Sequence, residues 1–228
     1  MLEHLKTQPA LIDQVHDRLV AAIVSGRLES GQKLTQETVA EMLGVSRQPV
    51  SHALQILKRR GLLIEQGKRS LAVAPMDGIL VRDLYQVREA LDSLAASLAA
   101  QRVRNNVAMQ EECAELEAAL TVGRALPHDA DLGELVNADV TFHSILHRLS
   151  GNAQIAATVA EQWPHFMRSM SVVLTTTDTL KYIWTEHAAI AEAVLAGKPR
   201  EAERYARAHI ARAGANTANH LNELASVA

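Results

Sequence analysis

The stretch from Thr35 to Gly61 constrains the fold more than any other part of the sequence. Thr35 is a good N-cap for a short helix that holds Thr38 to Leu43. Gly44 ends that helix and Val45 fills the turn. Ser46 then caps a further helix with Pro49 in its first turn, where a missing N–H costs little. Val50, Leu54 and Leu57 form its inner stripe and Gly61 stops it. Upstream, LIDQVHDRLVAAIVSG carries Leu11, Val15, Leu19, Ala22 and Ile23 at helical spacing. Downstream, LLIE and SLAVA read as two short strands around the polar turn QGKR.

A short helix, a glycine turn and a second helix make the organisation of a helix-turn-helix, with the hairpin as a wing. The second helix of such a pair lies in the major groove and its N-terminal residues reach the bases. Here that end carries Ser46, Arg47 and Gln48. Arginine is the usual bidentate reader of guanine, and glutamine can pair with adenine. Lys68 and Arg69 sit at the wing tip, placed to contact phosphate or enter the minor groove. The charge agrees with this reading. The chain as a whole has a formal net charge of -3, yet residues 1–74 hold 10 Lys+Arg against 7 Asp+Glu. Between 44 and 73, six cations face only Glu65. A cationic patch on an acidic protein is an electrostatic footprint for polyanions, though a solvated basic face has the same composition.

The run GQKLTQETVAEMLGVSRQPVSHALQILKRRGLL resembles the winged helix-turn-helix of the GntR family of bacterial transcription regulators. The resemblance implies that the third helix enters the major groove and the wing tip the minor groove. Arg47 matches the DNA-contacting arginine of the family's SRxPV motif, and Lys33 sits where the family often has a basic residue. Ser51 and His52 replace the Arg-Glu pair that commonly follows Pro-Val, so one expected contact is missing. Ser70 stands where a wing glycine is usual.

PMDG, residues 75–78, is a breaker and the expected linker between domains 1–74 and 79–228. From Ile79 onward there is almost no strand signal. Aromatic residues are 3% of the chain, so the core must come from Ala, Leu, Val and Ile. Helices are expected over about 79–104, 105–123, 131–149, 152–174, 178–196 and 199–225, with Pro164 kinking or splitting the fourth. The fold class is therefore mainly α: a winged helix-turn-helix of three helices and a two-stranded wing, followed by an all-α antiparallel bundle.

In the third of these helices, DVTFH puts Asp139 and His143 on one face. His187 and His209 lie on the last two. Four N/O donors from three helices can hold Zn²⁺, Ni²⁺ or Mn²⁺. Spacing alone also fits a helix carboxylate beside an unrelated imidazole. The same region resembles the FCD effector-binding domain of the family's FadR branch. The matching pieces are Asp139 with Phe142-His143, Ser150-Gly151-Asn152, Glu186-His187 with Ile190, and Gly197 through His209. In many members the Asp and three His bind a divalent metal, and all four positions are present here. Glu186 is expected to point away from its neighbour His187, and His147 and His165 to be surface or supporting groups. Arg88 lies in a match to the family's first-helix motif and is expected to meet an effector carboxylate, with an ion pair to Asp92 as the plain alternative. Arg168, Ser169 and Ser171 are weaker candidates to line the cavity, and Trp163 and Trp184 are expected in the core.

A single cysteine, Cys113, excludes an internal disulfide and fits a reducing cytosol. No apolar run reaches the ~20 residues of a membrane span and no secretory signal opens the chain, so a cytoplasmic location with no membrane partner is expected. The resulting expectation is a homodimeric repressor. It would read a palindromic double-stranded operator and respond to a small organic acid. Two other functions fit parts of the pattern. One is a metal-dependent hydrolase or lyase built on Asp139, His143, His187 and His209. The other is a DNA-binding module with no effector.

Overall fold

A computed structural model describes residues 11–67, 70–127, 129–173 and 177–227. The chain divides into two compact units, Met1–Pro75 and Met76–Ala228. In the first, α1 (Leu11–Val24), α2 (Gln36–Leu43) and α3 (Arg47–Arg59) pack beside a small sheet of β1 (Lys33–Leu34), β2 (Leu63–Glu65) and β3 (Leu71–Val73). Thr35 caps α2 as its sequence suggests: its hydroxyl accepts from the Thr38 N–H. Gly44 closes α2 in the left-handed region, φ 64°, which lets the chain turn straight into α3. Ser46 occupies the N-cap position of α3, but its side chain makes no capping hydrogen bond.

The sheet has three strands, in order β1-β3-β2 and antiparallel throughout, where the sequence suggests two. Lys33 pairs with Ala72 and Leu63 with Val73. A two-residue strand is too short to show alternation, which is why β1 reads as a turn. It forms because Leu34 is drawn into the head's core, among Leu19, Val39, Leu54 and Leu57. Lys68 and Arg69, expected at the wing tip, lie outside the described residues.

The second unit consists, among its described residues, of six helices: α4 (Gly78–Arg104), α5 (Gln110–Ala125), α6 (Leu132–Leu149), α7 (Ala153–Val173), α8 (Thr177–Leu195) and α9 (Pro199–Val227). Asp77 caps α4 by accepting from the Leu80 N–H at 2.7 Å. The expected start of the second bundle helix at 105 is corrected to Gln110. Asn106 adopts φ 53° and ends α4, and Glu112 then folds back to accept from the Met109 N–H at 2.8 Å. Pro164 does not split its helix: α7 runs through it, with Val159 and Phe166 on either side held in the core. Tertiary packing here outweighs one lost backbone bond.

Glycine permits several close helix contacts among the described residues, two of them beside the polar core. At Gly214 a Cβ would lie 2.6 Å from Tyr85, and at Gly123 it would lie 1.9 Å from the Trp184 ring. The first allows α9 to pack closely on α4. The second lets the α8 indole sit against α5 as part of the core, as expected for Trp184. These close approaches bring α4, α6, α8 and α9 together around a set of buried polar side chains.

Candidate metal centre and nucleic-acid interface

In the head, Ser46, Arg47, Gln48 and His52 are exposed along the start of α3, and Lys33 is exposed on β1. Ser51 is half-buried, and its hydroxyl accepts from Gln36 Nε2 at 3.1 Å. Arg47 is not free: its Nη2 lies 2.5 Å from Glu37 on α2. Both side chains are about two-thirds exposed, and an exposed pair of this kind contributes at most about 1 kcal/mol. Arg47 can therefore leave Glu37 for a base or phosphate at little cost. Lys58, part of the basic cluster, pairs with Glu65 on the wing.

In the helical unit the four expected ligand residues converge. Asp139 and His143 come from α6, His187 from α8 and His209 from α9. All four are buried, and one donor atom from each lies within 4.8 Å of the others. Nε2 of His143 is 3.1 Å from Nε2 of His187, which is 3.4 Å from Oδ1 of Asp139. In the metal-free chain one proton can bridge the two imidazoles. Two such lone pairs facing each other beside a carboxylate are also what a divalent cation requires. Three imidazoles and one carboxylate form a borderline donor set that suits Zn²⁺, Ni²⁺ or Mn²⁺, so these residues fit the group.

Two of the three histidines have a carboxylate behind them. His209 Nδ1 donates to Glu186 Oε2 at 2.8 Å, which in the neutral ring leaves Nε2 with its lone pair. His143 Nδ1 lies 2.9 Å from Asp92 Oδ2, near but off the direction of a good hydrogen bond. The other oxygen of Asp92 accepts from His147 Nε2 at 2.7 Å. Nδ1 of His187 is buried without a partner. Carboxylates behind ligating histidines fix the ring orientation and raise ligand basicity.

Arg88 is buried between two carboxylates, with Nε 3.5 Å from Asp92 and Nη2 3.7 Å from Asp139. Its guanidinium carbon lies 4.9 Å and 5.0 Å from the centres of Phe166 and Trp163. The ion pair with Asp92 is thus present, but in the interior rather than on the surface. Burial alone would raise the Asp92 carboxyl, yet His147 and Arg88 together hold it well below the usual carboxylate range. Burial, then the charge of Arg88, pushes His143 down to about 4. Burial also brings His209 to about 4 and holds His187 well below the usual imidazole range.

These shifts give the metal-free chain a pH dependence. An unfolded imidazole takes its proton near 6.5, whereas folded His143 and His209 take theirs only near 4. As pH falls through that interval the unfolded chain binds more protons than the folded one. Stability from these two groups is therefore complete above about pH 6.5 and lost progressively down to about pH 4. Denaturant midpoints of metal-stripped protein at pH 7.5, 6, 5 and 4 should fall in that order, and a flat profile would show that the histidines are not buried neutral.

A cavity of about 70 Å³ adjoins the cluster. Asp139 and His209 form part of its wall, with Tyr85, Arg212, Asn216 and Thr217 around them. Arg88 and Arg168 do not line it: Arg88 lies behind Asp139, and Arg168 is buried elsewhere on α7. Sequence reasoning therefore missed Arg212, and it set Glu186 aside. Glu186 does point away from its neighbour His187, but it reaches across to α9, where it meets both His209 and Arg212. Of the two positions expected for His147, surface or supporting, it takes the second: it is fully buried and donates to Asp92. Its place four residues beyond His143, in register with Asp139, was the available signal.

A winged-helix head and an all-helical unit with a cavity beside a buried polar cluster are the two parts of the chain. Residues 11–73 match the bacterial regulatory proteins of the gntR family, and residues 83–212 match the FCD domain. The chain belongs to the GntR family and carries its FCD domain. It is 25% identical over 199 residues to the HTH-type transcriptional regulator YdhC of Bacillus subtilis, covering 86% of each protein. It is 26% identical over 234 residues to the HTH-type transcriptional repressor NanR of Klebsiella aerogenes, covering 88% of this chain and 82% of that protein. The solved structure of E. coli McbR/YncC shares the fold, with a TM-score of 0.77 at 18% identity over 91% of this chain and 97% of that one. The chain is a transcriptional regulator rather than a hydrolase or lyase. Among the described residues no helix is long and apolar enough to cross a membrane.

Proposed function

We propose that this regulator is a metabolite-responsive repressor that holds a palindromic operator as a homodimer and is released by a small carboxylic acid. The observation that carries the reading is the shared wall: Asp139 and His209 belong at once to the four-donor cluster and to the cavity. A ligand in that cavity touches the cluster directly. Repression is the activity named for the relative NanR of Klebsiella aerogenes.

Asp139, His143, His187 and His209 would hold a divalent ion, and the ion when bound supplies an open position for one carboxylate oxygen. The chain's own residues do the rest. Tyr85, Asn216 and Thr217 offer hydrogen bonds, and Arg212 offers a planar cationic fork. In the head, Arg47 and Gln48 read bases while Ser46, Lys33, Ser51, His52, Lys68 and Arg69 contact the backbone or base edges. A dimer presents two such helices, so operator symmetry mirrors protein symmetry. The acid alters occupancy only if it binds the two conformations of the dimer unequally, and a 100-fold preference corresponds to about 2.7 kcal/mol.

The test has two stages. Full-length protein is first used to select genomic fragments at low ionic strength. A series of C2–C6 mono- and dicarboxylic acids is then screened by thermal shift against zinc-loaded and zinc-stripped protein. A ligand at 100 times its Kd stabilises the fold by about 2.7 kcal/mol. The expected result is at least one acid that stabilises only the zinc-loaded form and releases the selected fragment. An acid that stabilises both forms equally would contradict the metal-linked pocket, and failure to retain any fragment would contradict the repressor.

A further inference from the structure

Glu186 divides its carboxylate between two partners. One carboxylate oxygen accepts from Nδ1 of His209, and the other pairs with Arg212. His209 belongs to the donor cluster, whereas Arg212 lies at the cavity wall, with its guanidinium carbon 4.8 Å from the Tyr182 ring centre and its side chain about one-third exposed. A single carboxylate is thus divided between a buried imidazole and a cation within reach of any anion that enters the cavity.

We propose that Glu186 couples the ligand cavity to the metal centre: an anion that engages Arg212 draws it off Glu186, and the released carboxylate strengthens its hold on His209. This rests on the metal-centre reading and deepens it. The physical basis is competition for charge. While Glu186 is paired with Arg212, its negative charge is partly compensated and it polarises the His209 N–H less. With Arg212 engaged elsewhere, the full charge bears on Nδ1 and makes Nε2 a stronger donor. Glu186 is a positioning residue in this scheme, since it acts on the ion through His209. His143, by contrast, is backed by Asp92, whose neighbours Arg88 and His147 are both buried and out of a cavity ligand's reach.

A purely structural role for the pair predicts that removing either partner weakens the site. The coupling predicts opposite signs. Zinc affinity of the full chain, measured by competition with a chromogenic chelator, should fall about 10- to 100-fold in Glu186→Gln. It should rise in Arg212→Met, by up to about tenfold, the lower end of what such partners contribute. Acetate at constant ionic strength should tighten zinc binding by wild type more than by Arg212→Met, where only direct coordination of the ion remains. His187→Ala serves as the control for the site itself. If His187→Ala binds zinc as wild type does, the metal-centre reading fails. If His187→Ala loses zinc while Glu186→Gln and Arg212→Met both weaken it or leave it unchanged, the centre stands and the coupling is overturned. An acetate effect of undiminished size in Arg212→Met would also overturn it, because the anion would then act on the ion alone, without Arg212.

Discussion

Asp92→Ala should destabilise the metal-free protein by about 3–5 kcal/mol, the loss typical when one partner of a buried ion pair is removed. Asp92 is fully buried, and three groups depend on it: Arg88, His143 and His147. Without it Arg88 keeps only Asp139, at 3.7 Å, and an imidazole N–H of His147 loses its acceptor inside the bundle. Equilibrium denaturation of the isolated variant would measure the loss. The double variant Asp92→Ala/Arg88→Met should lose less than the two single changes summed, because the second change removes the charge that the first left unpaired. A loss below about 1 kcal/mol would mean that the network does not carry its charges as described.

Arg47→Ala should weaken binding to the selected operator by about 1–3 kcal/mol, or about 5- to 150-fold, and relax discrimination at one base position. Fluorescence anisotropy with the operator and with single-base variants would read both effects. Glu37→Ala is the companion measurement. Glu37 pairs with Arg47 in the free protein, but both are exposed, so freeing the arginine should change operator affinity by less than about 1 kcal/mol. If Arg47→Ala leaves affinity and base preference unchanged, the start of α3 is not the reading surface.

The head was legible in the sequence because its signals are local. The Thr35 cap, the Gly44 turn and the Val50/Leu54/Leu57 stripe each act within a few residues, and each forms as read. Strand β1 was not legible, since Lys33–Leu34 is a strand only because β3 lies beside it. The four donors were named through resemblance, as the i,i+4 spacing of Asp139 and His143 does not by itself distinguish a ligand pair. What the sequence hid was everything that depends on packing between helices. Glu186 is adjacent to His187 in the chain but serves His209, 23 residues on. Asp92 on α4 backs His143 and His147 on α6, a pairing that no periodicity encodes. Arg88 illustrates the same limit: its i+4 partner was named correctly, but only burial turns that pair from a weak surface contact into part of the core.

Elemental analysis of full-length protein purified without a metal-affinity tag tests most directly whether this polar cluster is a metal centre. After equilibration with a slight excess of zinc and gel filtration, wild type should retain one ion per chain, and His187→Ala, folded by far-ultraviolet circular dichroism, should retain none. Wild-type protein that emerges without metal, or a His187→Ala variant that keeps a full equivalent, would contradict the metal-centre reading.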